Sequence, residues 1–95
     1  STTESLTQLQ SRSGYFTRLR CRTAVALAAD ETMTLTLRKN GANTALACVQ
    51  TNAQTSLDND VVSFADGDLW NMLESCTNGT GAATKAFITM QFYPN

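Results

Sequence analysis

The sequence contains no histidine. That absence removes the commonest general base, most zinc sites and the Ser-His and Cys-His nucleophile arrangements, so catalysis is hard to assemble from what remains. Long apolar runs are missing too. None approaches the roughly 18 residues of a membrane span, and no membrane contact is expected. Seven Lys plus Arg against eight Asp plus Glu leave a formal charge of -1, which argues against the broad basic footprint of a nucleic-acid binder. The first residues, STTESLTQLQSRSG, lack the charged-then-apolar order of a secretory signal, so a soluble chain is expected. Cysteine is sparse. Cys21, Cys48 and Cys76 are odd in number and sit singly in apolar patterns, far from the CxxC spacing of structural zinc. Reduced, buried thiols and assembly inside a cell are the expectation, with one pair meeting across a sheet as the alternative.

What is present reads as strands. Ninety-five residues suit one small domain. Much of the 42% hydrophobic content is Ala, so the core should be thin, and a chain of this size buries only about 60% of its unfolded surface. In ETMTLTLRKNGANTALACV, Asn40-Gly41 is a strong type I′ hairpin signal, because both central residues need positive φ. Counting outward from Lys39 opposite Ala42 pairs Leu37 with Thr44, Leu35 with Leu46 and Met33 with Cys48. These apolar residues share one face, while Thr32, Thr34, Thr36 and Arg38 lie opposite Ala45, Ala47 and Val49 on the other.

Other segments alternate in the same way. Leu19, Cys21, Thr23 and Val25 oppose Arg18, Arg20 and Arg22. A short strand ends near Phe64, Asp66-Gly67-Asp68 forms a turn, and a strand follows from Leu69 to Cys76 with Trp70 expected inward. The last segment sets Ala86, Ile88, Met90 and Phe92 against Phe87, Thr89, Gln91 and Tyr93. Residues 1–14 read as an N-terminal arm or a helical turn, from Thr3 as cap and Leu6 and Leu9 spaced i, i+3. Ala24 to Glu31 reads as a strand running into a turn at Asp30. Five to seven short strands separated by turns give an all-β antiparallel sandwich or barrel over residues 15–95.

Few constellations carry chemistry. Asp58, Asp60, Asp66 and Asp68 offer clustered oxygens, but their spacing matches no EF-hand and turn chemistry explains each one, so no metal or other cofactor is expected. Glu74 beside Trp70 is the one candidate for a glycosidase carboxylate; a lone Glu on an apolar strand reads better as an interface or strand-end charge. Arg18, Arg20 and Arg22 form a row that either solvates a sheet face, pairs with acidic side chains across strands, or meets a partner. Asn78-Gly79-Thr80 fits the glycosylation pattern and reads as a turn.

The order LRCRTAVAL, TLTLRKNGANTALACV, VVSFADGDLWNMLES and AFITMQFYP resembles the small jelly-roll domains of tailed bacteriophages, found in capsid decoration (cement) proteins, head fibres and fibre tips. The resemblance covers roughly Tyr15 to Tyr93. A similar Gly-Asp turn occurs in tumour necrosis factor-like and C1q-like jelly rolls. The resemblance implies a two-sheet jelly roll, usually a homotrimer, acting as a non-enzymatic virion protein assembled in the host cytoplasm and bound to the major capsid protein. The expected partner contacts are Leu6, Leu9, Arg18, Arg20, Arg22, Trp70, Phe87 and Tyr93. The alternative is a host-glycan reader at a fibre tip, with Trp70 or Tyr93 stacking on sugar.

Overall fold

A computed structural model describes residues 2–4, 8–23, 31–51, 55–77 and 86–95. Among them are nine strands and no helix: β1 (Thr2–Glu4), β2 (Leu9–Gln10), β3 (Gly14–Thr23), β4 (Thr32–Lys39), β5 (Ala42–Gln50), β6 (Thr55–Asp58), β7 (Val62–Phe64), β8 (Leu69–Thr77) and β9 (Ala86–Pro94). They form two antiparallel sheets. In the first, β8 is flanked by β4 on one side and by β1 and β2 on the other, and β5 completes the hairpin beyond β4. In the second, β3 is central: β9 runs along one side, with β6 and β7 end to end along the other. From β2 onward the chain stays in one sheet only through the β4–β5 hairpin and the β6–β7 step; every other connection crosses to the opposite sheet.

The anticipated helical turn is not seen among the described residues of this segment, which are strand at Thr2–Glu4 and Leu9–Gln10. Thr2–Glu4 pairs with Ser75 to Leu73, and Leu9 lies opposite Trp70, so this segment extends the first sheet. Leu6, Val25, the turn at Asp30 and the Asn78 motif lie outside the described residues.

The hairpin turn forms as its sequence requires, with φ of 52° at Asn40 and 82° at Gly41. Lys39 faces Ala42 and Arg38 faces Asn43, but farther out the simple count fails. Leu35 lies opposite Cys48 and Met33 opposite Gln50, because the register shifts between Thr36 and Arg38. Thr44 supplies the cause. Its hydroxyl donates to the Leu37 carbonyl at 2.6 Å and accepts the Leu46 N–H at 3.3 Å, so one side chain takes the place of ladder partners and Thr44, Ala45 and Leu46 all pass opposite Leu37. A slip of two residues preserves the period-two alternation. Met33, Leu35, Leu37, Leu46 and Cys48 are therefore all buried on one shared face.

The interior has two unlike ends. Near the hairpin it is aromatic: the Phe16 ring lies 5.1 Å from Phe64, 5.5 Å from Trp70 and 4.9 Å from Phe92. At the far end it is sulfur-rich and partly polar. Cys21 on β3 and Cys48 on β5 form a disulfide between the sheets, and the Gln50 amide donates to the Thr23 hydroxyl at 2.9 Å. The expectation of reduced thiols is thus corrected. Both residues project inward from opposite sheets and are fully buried, and alternation within single strands cannot reveal that they meet. Cys76 remains a thiol on β8, its pKa raised chiefly by burial and further by the Glu74 carboxylate.

Gly14 is required where β3 passes between β7 and β9. A methyl group there would meet the Tyr93 carbonyl oxygen, the Phe92 ring tip at 2.6 Å and the Pro94 Cα at 2.9 Å.

The crosslink closes a loop with a sequence separation of 27, for which chain entropy gives about 3.5 kcal/mol, comparable to burying one or two Leu side chains. Replacing Cys21 and Cys48 together by Ala should lower the unfolding free energy by about 3 kcal/mol, read from the urea midpoint together with a slope that rises as the unfolded chain loses its crosslink. An unaltered midpoint would show that the bond contributes nothing.

Candidate functional site

Two polar assemblies stand out, one structural and one open to solvent. The structural one closes the aromatic end. The Asn40 N–H donates to the Leu69 carbonyl at 2.8 Å, the Leu69 N–H returns to Asn40 Oδ1 at 2.9 Å, and the Asn40 amide donates to Asp68 Oδ1 at 3.1 Å. Asp68 Oδ2 accepts the Ala65 N–H at 2.9 Å, and Lys39 Nζ stands 3.6 Å from the same oxygen. Ser11 joins through its N–H to the Asp68 carbonyl, and Asp66 Oδ1 accepts the Ser13 N–H at 2.7 Å. The hairpin, the β7–β8 turn and the β2–β3 link are thereby held together. These carboxylates act as turn acceptors, as the sequence suggested.

The open assembly is the outer face of the second sheet. Side chains of Arg18, Arg20 and Arg22 project outward and are exposed, while Leu19, Cys21 and Thr23 point into the core. A bulge makes this arrangement work. Thr17 pairs with Gln91 and Arg20 with Thr89, so Arg18 and Leu19 together face the single Met90, and Arg18 takes a left-handed φ of 54°. Without the extra residue, Phe16 and the arginines would lie on the same side of the strand.

β9 supplies the neighbours. Arg22 lies opposite Phe87, its guanidinium 5.4 Å from the ring centroid, and Arg20 lies opposite Thr89. Farther along, Tyr15 and Tyr93 stack at 5.1 Å, and the Tyr93 hydroxyl donates to Gln91 Oε1 at 2.6 Å. On the opposite flank Leu57 pairs with Arg20 and is 47% exposed.

None of the three arginines has an ion-pair partner among the described residues. The adjoining acid on β6, Asp58, is committed elsewhere: its Oδ2 accepts the Ala47 N–H at 2.8 Å and its Oδ1 the Asp60 N–H at 3.1 Å. Two adjoining hollows lie over this face. One, of about 270 Å³, is lined by Arg18, Arg20, Leu57, Thr89, Met90 and Gln91; the other, of about 330 Å³, is lined by Arg20, Arg22, Phe87, Ile88 and Thr89.

The anticipated contacts therefore divide. Arg18, Arg20, Arg22, Phe87 and Tyr93 are gathered on this one face. Leu9 is exposed but belongs to the first sheet, and Trp70 is half-buried against Phe16, which removes it as an open stacking platform. Glu74 also lies on the inner side of β8, opposite Leu35. Leu57, Thr89 and Gln91 were not among the anticipated contacts. Outward alternation on β9 was visible for the latter two, but the pairing of β9 with β3 leaves no signal in sequence. The chain matches no protein-family model, no curated protein and no solved structure.

The Asp68 carboxyl is held below its ordinary value of 3.8 by the Ala65 N–H bond first and the Asn40 amide second, against an opposing effect of desolvation, with Lys39 adding the last contributions. A depressed folded pKa contributes stability that is present above the ordinary carboxylate value and is lost as pH falls through the folded one. Between pH 5 and pH 2 the wild type should lose more stability than Asp68→Asn, measured by urea unfolding at each pH. Equal losses would remove Asp68 from the acid response. At Arg18, Gly should leave stability within about 1 kcal/mol of wild type, whereas Val, branched at a left-handed φ, should cost about 2 kcal/mol. The difference would appear directly in denaturation midpoints.

Proposed function

We propose that this chain is a non-enzymatic structural protein of a tailed phage particle, a decoration protein of jelly-roll topology that binds the major capsid protein as a homotrimer. The reading is carried by the contrast between the two outer sheet faces. On the first sheet, Thr34, Thr36, Ala45, Ala47, Val49, Leu73 and Ser75 face outward, and Arg38 is the charged side chain among them within β4, β5 and β8. Arg38 is turned back to Asn43 Oδ1 at 2.7 Å and to the Gly41 carbonyl. Depletion of charge is the compositional mark of an interface core. The second sheet instead carries the arginine row. A protein with one face sparse in charge and one cationic face can sit on a neighbour by the first and present the second.

Other features support the same reading. Repeated crossing between sheets, here at five of the eight connections, is how two-stranded ribbons roll into a jelly roll, and the TLRKNG hairpin and the FADGD turn that suggest such proteins are the two turns tied together by Asn40 and Asp68. Virion surfaces are among the oxidising settings where disulfides persist, so assembly in the cytoplasm followed by crosslinking on the released particle accommodates Cys21–Cys48. A second reading, a glycan-binding module at a fibre tip, is favoured by the exposed ring of Phe87 beside the Arg22 guanidinium and by the exposed Tyr93 on the same sheet face.

Cryo-electron microscopy of the particle tests the first reading. Expected is density at symmetric lattice positions with the first sheet against the shell, and loss of capsid binding in Val49→Glu but not Arg20→Gln. A monomer that ignores purified heads, or density confined to a tail tip, would overturn it.

A further inference from the structure

We infer that the outer face of the second sheet is a binding site for an acidic saccharide, one bearing carboxylates on pyranose rings. This rests on the second reading above and names its site and ligand class.

The charge pattern gives the first argument. Same-face residues on a regular strand repeat about every 6.6 Å, which spaces Arg20 and Arg22, and the bulge adds Arg18 to the same outward row. No acidic side chain among the described residues neutralises it, and Asp58 is turned away. Guanidinium forks match carboxylates bidentately, which a solvated surface charge does not require.

The second argument is the shape beneath the charges. The two hollows share Arg20 and Thr89 as a common wall, so they are consecutive compartments of one shallow trough. Together they reach the size of a small-ligand pocket. The first compartment is polar. Arg18 and Arg20 enter it with Thr89 and Gln91, and since Gln91 Oε1 already accepts from Tyr93, its amide nitrogen is left to donate. Donors therefore outnumber acceptors, which suits carboxylate and ring hydroxyl oxygens. The second compartment is apolar chiefly through Phe87, which is 49% exposed and has Arg22 over its ring, while Ile88, opposite Cys21, borders it from a strand position whose side chain packs against the core. A flat hydrophobic ring with a charged fork beside it fits the C–H face of an acidic sugar.

Backbone strain supplies the third argument. Arg18 keeps a left-handed φ that costs a non-glycine residue about 1–2 kcal/mol. Such strain clusters where a side chain must be aimed, and here it directs the first guanidinium outward beside the polar compartment.

Rival ligands fit less well. An extended peptide would add to a sheet edge through its backbone, and among the described residues β9 has such an edge; the arginine row, however, projects from β3, whose backbone groups are taken up in pairing with β6, β7 and β9. Nucleic acid would need a wider basic field than three arginines in a chain of charge -1.

Binding of tri-galacturonic acid to the intact protein tests the inference, with the methyl-esterified trisaccharide, hexaglutamate and a dT hexanucleotide alongside. Expected are amide shifts in β3 and β9, affinity for the acid at least tenfold above that for its ester, and at least tenfold loss in both Arg20→Gln and Phe87→Ala with near-UV circular dichroism unchanged. Equal binding of acid and ester would overturn the acidic requirement while leaving a glycan reader standing. No saccharide binding at all would overturn both. Tighter binding of hexaglutamate or of the oligonucleotide, or binding indifferent to Phe87→Ala, would reassign the face to that polyanion or to bare charge.

Discussion

Contact between the two inner sheet faces is the constraint on which the remaining architecture depends. Each sheet is only a few strands wide, and its buried side chains form a single layer built from Phe16, Leu19 and Phe64 on one side and Met33, Leu35, Leu37 and Leu46 on the other. A layer so thin tolerates no strand turned the wrong way, because a one-residue slip would move a whole apolar set into water. Both irregularities in the ladders respect this rule. At Thr44 the slip is two residues and alternation survives; at Arg18 one extra residue lets Phe16 and Leu19 both point inward.

Division of labour between the ends of the sandwich follows from composition. With few aromatic residues available, four of them, Phe16, Phe64, Trp70 and Phe92, are concentrated near the hairpin, where the Asn40 and Asp68 network also closes the surface. The other end has Met33, Thr23 and Gln50 and little bulk. There the sheets are joined by a covalent bond instead. Small domains commonly replace missing core with a crosslink, and here the replacement is local to the end that lacks large side chains.

Alternation makes the strands, their buried faces and the turn at Asn40-Gly41 legible in the sequence, because each depends on neighbours along the chain. Trp70 was assigned to the correct side on the same basis. What could not be read depends on partners distant in the chain. The Thr44 hydroxyl reshapes the hairpin by a bond to Leu37 that competes with regular pairing, and nothing in a Thr-rich strand distinguishes that Thr from the others. Cys21 and Cys48 looked like isolated small hydrophobes because their meeting is a property of sheet packing. The arginine row was visible; its companions Leu57, Thr89 and Gln91 required knowing that β6 and β9 flank β3.

Segregated faces also explain how a chain of nearly balanced charge can present a local cationic surface. Asp58 at the end of β6 and Asp66 and Asp68 in the β7–β8 turn each accept backbone N–H groups, and so are consumed structurally. Arginines on β3 remain available. The lone tryptophan has a consequence for anyone watching this molecule open. Its indole packs among the aromatic rings, remote from the disulfide, so its emission is a gauge of one end only. If reductant loosened the sulfur end by itself, fluorescence would stay silent; a change in emission on reduction would mean that both ends come apart as a single cooperative unit.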